Sequence, residues 1–556
     1  MKNIKDRLIR SDQFYGFSEF IDSRKSDFHK KDLVLCDISP ASYRPFYLGA
    51  NIIDAVVNES GISCGRAIWE PGFESMEWFT ENPVRDFGII GICAYMYYQI
   101  FGIPAFLHDN KIQPISKFRK ESDPIILLGG QANYLFSGYD KFVDIACIGE
   151  GEKFILSLID LKKNHIGSRS EFLEKASRIP GSYVPSIHGS SPEPVISKTF
   201  LQPEELSDFS RLKTLKTKYK AHVIEVARGC KYQCGFCSLS RRMHPFREIP
   251  AEVINKKINT FAEDEHIYPF APDEASYSGR ETVVNWCEAR GLKVYHYNYR
   301  LNTISKKDVE NPGLGGNIVF GIDGISQRII DIIGKGINLK RLEEEIAPLV
   351  FENGFNTIKL NYVFNFPYET EEDYEQLYLF WKRLIEIRIE KKSKCFIHIA
   401  PTPFLPEYFI PLQFAPVRNN INPLFEETLK RVKTHFFDKL GVEPRIKAEG
   451  LQGYENWITS VLMHRIENLS DFVYYAFKNG YKKSGYDKKL FNLMNQWLIS
   501  QGKSKSKLLE ELDPSCNYWF DKFDWSGGTL DYKKKIRQHY LSIKKLSERE
   551  TKKCQK

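Results

Sequence analysis

No stretch of this 556-residue chain approaches the roughly twenty consecutive apolar residues of a membrane-spanning helix. The start, Met1-Lys2-Asn3-Ile4-Lys5-Asp6, runs into charged sequence without an apolar signal region. Membrane-span and secretory readings are set aside, and a cytoplasmic location is expected. The eleven cysteines stand at irregular spacing, so a disulfide framework is not expected. Charge of neither sign dominates. A net charge of +8 falls short of the dense positive field of a dedicated nucleic-acid binder. Much of it gathers in Lys533-Lys534-Lys535-Ile536-Arg537 and the tail through Lys556, which reads as a solvated terminal helix or an RNA contact. Apolar residues, in contrast, are ample. They make up 42% of the chain, with 14% aromatic; the chain is globular and long enough for about three or four domains.

One cysteine run stands apart: Ala227-Arg228-Gly229-Cys230-Lys231-Tyr232-Gln233-Cys234-Gly235-Phe236-Cys237, a C-x3-C-x2-C loop. Three thiolates on one short loop suit three irons of a 4Fe-4S cluster and leave the fourth iron open to a small molecule. A zinc site is the alternative, with His244 completing a Cys3His set, although zinc sites more often use paired C-x2-4-C motifs and no second pair exists here. A chance cluster of buried cysteines is a further alternative. The loop resembles the signature of the radical SAM superfamily, in which S-adenosylmethionine (SAM) chelates the fourth iron. The resemblance includes Phe236 ahead of the last cysteine, a position where backbone meets the adenine. It implies Cys230, Cys234 and Cys237 as metal ligands, SAM as cofactor, and an electron donor such as flavodoxin or ferredoxin.

Ahead of the loop, residues 33–160 alternate apolar runs with helical stretches. Leu33-Val34-Leu35-Cys36, Phe87 to Ile92, Pro124 to Gly130 and Val143 to Gly149 read as strands of a parallel sheet covered on both faces. Ligands of such sheets sit at the carboxyl ends of strands. Gly129-Gly130 and Gly149-Glu150-Gly151-Glu152 stand at two such ends and are either backbone approaches to a bulky ligand or tight turns. Their order and distance resemble the cobalamin-binding domain that precedes many radical SAM cores. The Asp-x-His-x-x-Gly loop of many such domains is missing; Gly61-Ile62-Ser63-Cys64-Gly65 occupies roughly that region without a histidine. Cobalamin without a protein lower ligand and a retained fold with an empty pocket both stand. A rival is a methylthiotransferase, with a second cluster on Cys36, Cys64 and Cys93, although their contexts do not match that family's motifs. Residues 163–220 form a connector rich in turn formers.

From Ala221 the pattern is strand-helix again. Runs near 222–226, 267–274, 294–300, 318–324, 357–367 and 395–400 count out a six-stranded partial (β/α)6 barrel over 221–424, with the cysteine loop at the mouth of the first strand. The resemblance implies that Asp273 or Glu274 receives the methionyl ammonium of SAM; the alternative is a helix cap. Alternation puts His296, Asn298 and Arg300 on one face, with Arg300 aimed at the SAM carboxylate or an ion pair. Asp323 stands where the family usually has Glu-Ser and is expected to reach the ribose. Asn365 to Thr370 resembles the family's Gly-x-Pro-x-Glu-Thr segment, with Asn365 in place of the glycine.

Residues 425–556 read as a helical C-terminal region whose aromatics (Trp457, Phe472, Trp497, Trp519, Trp525) are core or, less simply, a stacking platform for unpaired nucleotides. The expected architecture is thus α/β. A doubly wound, cobalamin-binding-like sheet over 1–162 precedes the radical SAM barrel and a helical tail. The expected activity is radical cleavage of SAM, with cobalamin-dependent methylation or another change at an unreactive carbon of a substrate the sequence does not name, RNA and peptide being the classes considered. The competing class is a non-enzymatic iron–sulfur or zinc nucleic-acid module.

Overall fold

The computed structural model describes residues 32–39, 48–78, 80–191, 196–210, 215–216, 221–260, 266–294, 298–310, 316–449, 453–524 and 532–554. His296 and Trp525 lie outside them, as does the side chain of Asn298. The chain divides into two units: Met1–Ile224 with Thr459–Leu508 and Cys516–Lys533, and Glu225–Ile458 with Leu509–Ser515 and Lys534–Lys556. The C-terminal helical stretch is therefore shared between the units rather than standing as one region.

The first unit is built on β1 (Leu33–Asp37), β2 (Cys64–Ile68), β3 (Ile89–Cys93), β4 (Ile125–Gly129), β5 (Ile145–Cys147) and β6 (Ser182–Tyr183), in the spatial order β2-β1-β3-β4-β5-β6. The first five are parallel, and β6 closes the edge antiparallel. Alternation sorts the side chains. Leu33, Leu35, Ile89, Ile125, Leu127 and Ile145 share one core with Val57, Phe154, Ile155 and Leu158 from the helices Leu48–Glu59 and Glu152–Asn164, while Val34, Cys36, Ile90, Ile126 and Leu128, at alternate positions, are equally buried. The sheet is thus covered on both faces, as the continuous apolar runs require. The order reverses between β1 and β3, the switch point where ligands of such sheets bind.

Two sequence readings change here. Cys64 and Gly65 belong to β2, and Cys64 stands opposite Leu33, at the amino-terminal end of the sheet. The segment Gly61–Gly65 is therefore at the wrong end for a cobalt-ligand loop; that place falls to the segment after β1, where Asp37-Ile38-Ser39 begins. The same register overturns the second-cluster triad: Cys36 pairs with Ala67, so Cys64 is three residues, about 10 Å, down the strand from it. A cubane needs its thiolates on one small face. The physical reason for the misreading is that β2 is short and carries Gly65 and Arg66 inside it, so it lacks an apolar run.

In the same unit the helices Leu469–Lys478 and Lys488–Ser500 pack by their aromatics. Phe472 lies 5.7 Å from Phe101 and 5.6 Å from Trp497, and all three are buried. This aromatic stripe is core.

The second unit holds parallel strands β9 (Asn298–Tyr299), β10 (Asn317–Gly321), β11 (Thr357–Phe364), β12 (Phe396–Pro403) and β13 (Ile446–Ala448), in sequential order. Before them come β7 (Ala221–Glu225), which leads into the unit, and β8 (His266–Phe270). Val226 N–H donates to Phe270 C=O, and Ile267 bridges Val294 in parallel. The six strands read from the sequence are present. A seventh, β13, was missed, because three residues with lysine at the centre carry no apolar run.

The paired glycines after β4 give a test. Gly130 has φ +100°, and a Cβ there would stand 2.3 Å from the Ala94 carbonyl oxygen, whereas a Cβ on Gly129 meets nothing within 4 Å. Gly130→Ala is expected to destabilise the fold by on the order of 2 kcal/mol or more, and Gly129→Ala to stay within about 0.5 kcal/mol of wild type, read from urea melts of the two variants.

Candidate functional site

The cysteine loop is fixed from both ends. Ala227–Arg228 pairs antiparallel with Arg247–Glu248, bringing the chain back beside its own entry. Arg228 grips Glu225 through Nε at 3.0 Å and Nη2 at 2.7 Å; both side chains are buried, so the paired, charge-assisted fork holds the strand end. Gly229 turns the corner at φ +89°, with the Met243 carbonyl oxygen 2.5 Å from where a Cβ would be, so only glycine fits. Gly235 N–H donates to Ile333 C=O at 2.8 Å, and Leu412 N–H donates to Gly235 C=O at 3.2 Å. Arg241 donates to Gln233 Oε1 at 3.0 Å and lies 3.1 Å from His539 Nδ1 on the C-terminal helix Tyr532–Cys554.

Within this frame Cys234 is buried and Cys230 and Cys237 are half-buried. Burial pushes the Cys230 thiol up to about 11, and the nearby Cys237, Cys234 and Asp273 add to it. Burial likewise raises Cys237, with Cys234 adding to it. Cys230 and Cys237 thus each resist ionising while the neighbouring sulfurs carry charge. Two cations stand beside them. Arg300 donates from Nη1 towards Cys234 Sγ at 3.8 Å. The Lys335 ammonium pairs with Asp323; burial works against its charge, but Asp323 and the Cys234 sulfur hold it above its ordinary value. Half-buried thiols with cations at hand fit a cluster held by three thiolates, whose assembly releases thiol protons. Among the described residues no three His, Cys, Asp or Glu side chains converge on one metal ion, and His244 is exposed; the Cys3His zinc set is not assembled. A cubane differs in that each thiolate holds its own iron.

The other residues expected from sequence divide. Phe236 is half-buried, its ring 6.2 Å from Phe366 and 5.9 Å from Lys335 Nζ. Asp273 accepts from Ser276 Oγ at 2.6 Å on Oδ2, while its buried Oδ1 has no partner. Glu274 is buried, and its charge bears on Arg280 and Tyr299. Asn298, in β9, pairs with Val319 of β10. Asp323 adopts φ 49° and bears on Cys237. Lys335 was missed, though Gly334-Lys335-Gly336, with both glycines at positive φ, is a signal: a charged residue held between two sharp turns.

In the first unit, Gly129 opens onto space, whereas Gly130 packs on Ala94 and Gly149, at φ +108°, packs on Thr199. Glu150 accepts from Leu201 N–H at 2.6 Å, a Cβ on Gly151 would stand 3.1 Å from Ile53, and Glu152 is buried at the helix start. At the switch point, Ser39 N–H donates to Asp37, and Gln99 joins Ser39 Oγ at 2.9 Å to the Tyr95 and Met96 N–H groups.

A cavity of about 430 Å³ in the second unit is lined by Tyr368, Glu369, Glu511, Tyr540 and Lys544 among others. Tyr374 O–H donates to Glu369 Oε2 at 2.6 Å, and the buried Oε1 has no partner. Burial raises this carboxyl to about 7. Because the folded value lies above the unfolded one, the group's stabilising contribution is complete below the ordinary carboxylate range and is lost as pH rises through 7. Wild-type stability is expected to fall between pH 5 and 8 by on the order of 3 kcal/mol more than that of Glu369→Gln; parallel thermal melts of the two proteins across that range check it.

Comparison with known proteins agrees with the cysteine-loop resemblance. Residues 68–185, inside the first unit, match the family model described as Radical SAM proteins, N-terminal. The ribosomal protein uS12 methylthiotransferase RimO of Chlorobaculum tepidum is 26% identical over 191 residues, 31% of this chain and 43% of that protein; the chain thus spans less than half the length of this relative. Two solved structures are similar. One is the radical S-adenosylmethionine methyltransferase TsrM from Kitasatospora setae with cobalamin and a 4Fe-4S cluster bound (TM-score 0.45, 10% identity, 67% of this chain and 75% of that one). The other is the cobalamin-dependent S-adenosylmethionine radical enzyme OxsB with aqua-cobalamin bound (TM-score 0.47, 12% identity, 94% and 81%). No described helix is long and apolar enough to cross a membrane.

Proposed function

We propose that this protein is a radical SAM enzyme that uses cobalamin to methylate, or otherwise modify, an unreactive carbon. The observation that carries the reading is the three-thiol loop with the buried Arg300 and the half-buried Lys335 beside it. A cluster on Cys230, Cys234 and Cys237, with SAM on its open iron, supplies reductive cleavage of SAM to methionine and a 5′-deoxyadenosyl radical. The chain's residues do the rest. Asp273, with one buried carboxylate oxygen unpartnered, offers an acceptor for the methionyl ammonium. Arg300, whose Nε is buried without a partner, offers a donor to the methionyl carboxylate. Asp323, paired with Lys335, would meet the ribose, and the backbone at Phe236 would meet the adenine. An external flavodoxin or ferredoxin delivers the electron.

For cobalamin, the supporting features are the β1/β3 switch point and the open space over Gly129. The sequence after β1 carries no histidine through Tyr47, so the corrinoid is held without a lower ligand from that loop. RNA, peptide and small-molecule substrates are all compatible with this chemistry.

Anaerobic reconstitution is expected to load about four irons per chain and to yield 5′-deoxyadenosine from SAM under reduction. Cys230→Ala, Cys234→Ala and Cys237→Ala are each expected to abolish it, and Asp273→Asn to raise the SAM concentration needed by about tenfold or more. Protein grown with cobalamin is expected to retain a corrinoid absorbance of the base-off type. Iron loading without SAM cleavage overturns the enzymatic reading, and absence of retained corrinoid overturns the cobalamin part alone.

A further inference from the structure

We propose that Arg300 is a positioning residue for the cluster's electronics: its guanidinium donates to the Cys234 sulfur and makes the cluster easier to reduce before SAM arrives. This rests on the radical SAM reading, and it gives Arg300 a second duty besides the SAM carboxylate.

The geometry is specific. Nη1 lies 3.8 Å from Cys234 Sγ, a hydrogen-bond distance for sulfur. The guanidinium carbon stands 3.7 Å over the Tyr232 ring, inside the same cysteine loop, so the plane is fixed from a second side by cation–π stacking. Arg300 is 8% exposed, and its Nε is buried with no hydrogen-bond partner. A buried guanidinium left this way beside neutral thiols is costly, and beside thiolates it is favourable. Cys234 is the most buried of the three ligands, where the dielectric is low and a charge acts strongly.

Lys335, the other cation, differs in kind. It is ion-paired with Asp323, so together they place little net charge at the sulfurs. Arg300 supplies the uncompensated positive charge. One electron from the external protein donor adds a negative charge to an assembly that three thiolates already make anionic, with no bond made or broken and no proton moved. A fixed cation and a hydrogen bond to sulfur favour the more negative, reduced form, and such hydrogen bonds are among the determinants of cluster potentials. Because Nη1 faces the Cys234 sulfur and Nε is unpartnered, one side chain would serve both the sulfur and the methionyl carboxylate of bound SAM.

The test is an anaerobic redox titration of the reconstituted full-length protein without SAM, followed by electron paramagnetic resonance of the reduced cluster. Arg300→Gln with wild-type iron and sulfide content is expected to be about tenfold harder to reduce, a negative shift of ~59 mV for a one-electron couple. Arg300→Lys, which keeps the charge but loses the fork, is expected to shift less. An unchanged potential in Arg300→Gln, with only its SAM affinity reduced, overturns the proposal and leaves the radical SAM reading intact; wild-type protein that never takes up a cluster overturns that reading instead. If Arg300→Gln loses its cluster, wild-type protein labelled with 15N in the arginine guanidinium decides: a pulsed-resonance 15N coupling to the reduced cluster supports the contact, and its absence overturns it.

Discussion

Crowding three sulfurs into a buried turn is the constraint on which the second unit is organised. Burial makes the Cys230 and Cys237 thiols harder to ionise, and the neighbouring sulfurs add to the cost. The loop exists in this shape because its termini are held independently of the sulfurs: by the buried Arg228–Glu225 fork, by the backbone pairing of Ala227–Arg228 with Arg247–Glu248, and by glycine at the one corner where carbonyl oxygens leave no room for a side chain. With the ends fixed, the backbone itself holds the three cysteines close together. The Arg300 guanidinium is the charge that reaches the Cys234 sulfur, while Lys335 is paired with Asp323.

The first unit follows another rule. Its strands β1, β3, β4 and β5 bury both faces and carry apolar side chains in their interiors, with the buried Arg66 of β2 as the exception; ligands of such sheets meet the strand ends. There the structure separates glycines that look alike in sequence. Gly130 and Gly149 serve close backbone packing, and Gly129 opens outward. The Gly-Glu-Gly-Glu turn is tied to the chain around Thr199–Leu201 through backbone and carboxylate bonds, which gives it a structural occupation whatever else it touches.

Much was legible in residues alone. The C-x3-C-x2-C spacing is local, so its meaning survives without a fold. The runs at 33–36 and 125–129 read as buried strands because they are short, continuously apolar and bounded by turn formers. β2 and β13 escaped because Gly65, Arg66 and Lys447 interrupt theirs. Cys36, Cys64 and Cys93 looked like a possible triad by separation, yet register set Cys64 at the opposite end from Cys93. Lys335 escaped because a lysine between glycines has no periodic pattern around it.

The sequence by itself determined the spacing of the cysteine loop, the alternation of strands and helices, and the core of most strands, since spacing and apolar runs act over a few residues. Only the tertiary structure decided which charges meet the sulfurs, which glycines are crowded, and that parts of the C-terminal helical stretch join the first unit. Those outcomes depend on register and on contacts between residues tens to hundreds of positions apart, as between Tyr134 and His464, and no local pattern encodes which distant side chain fills a given space.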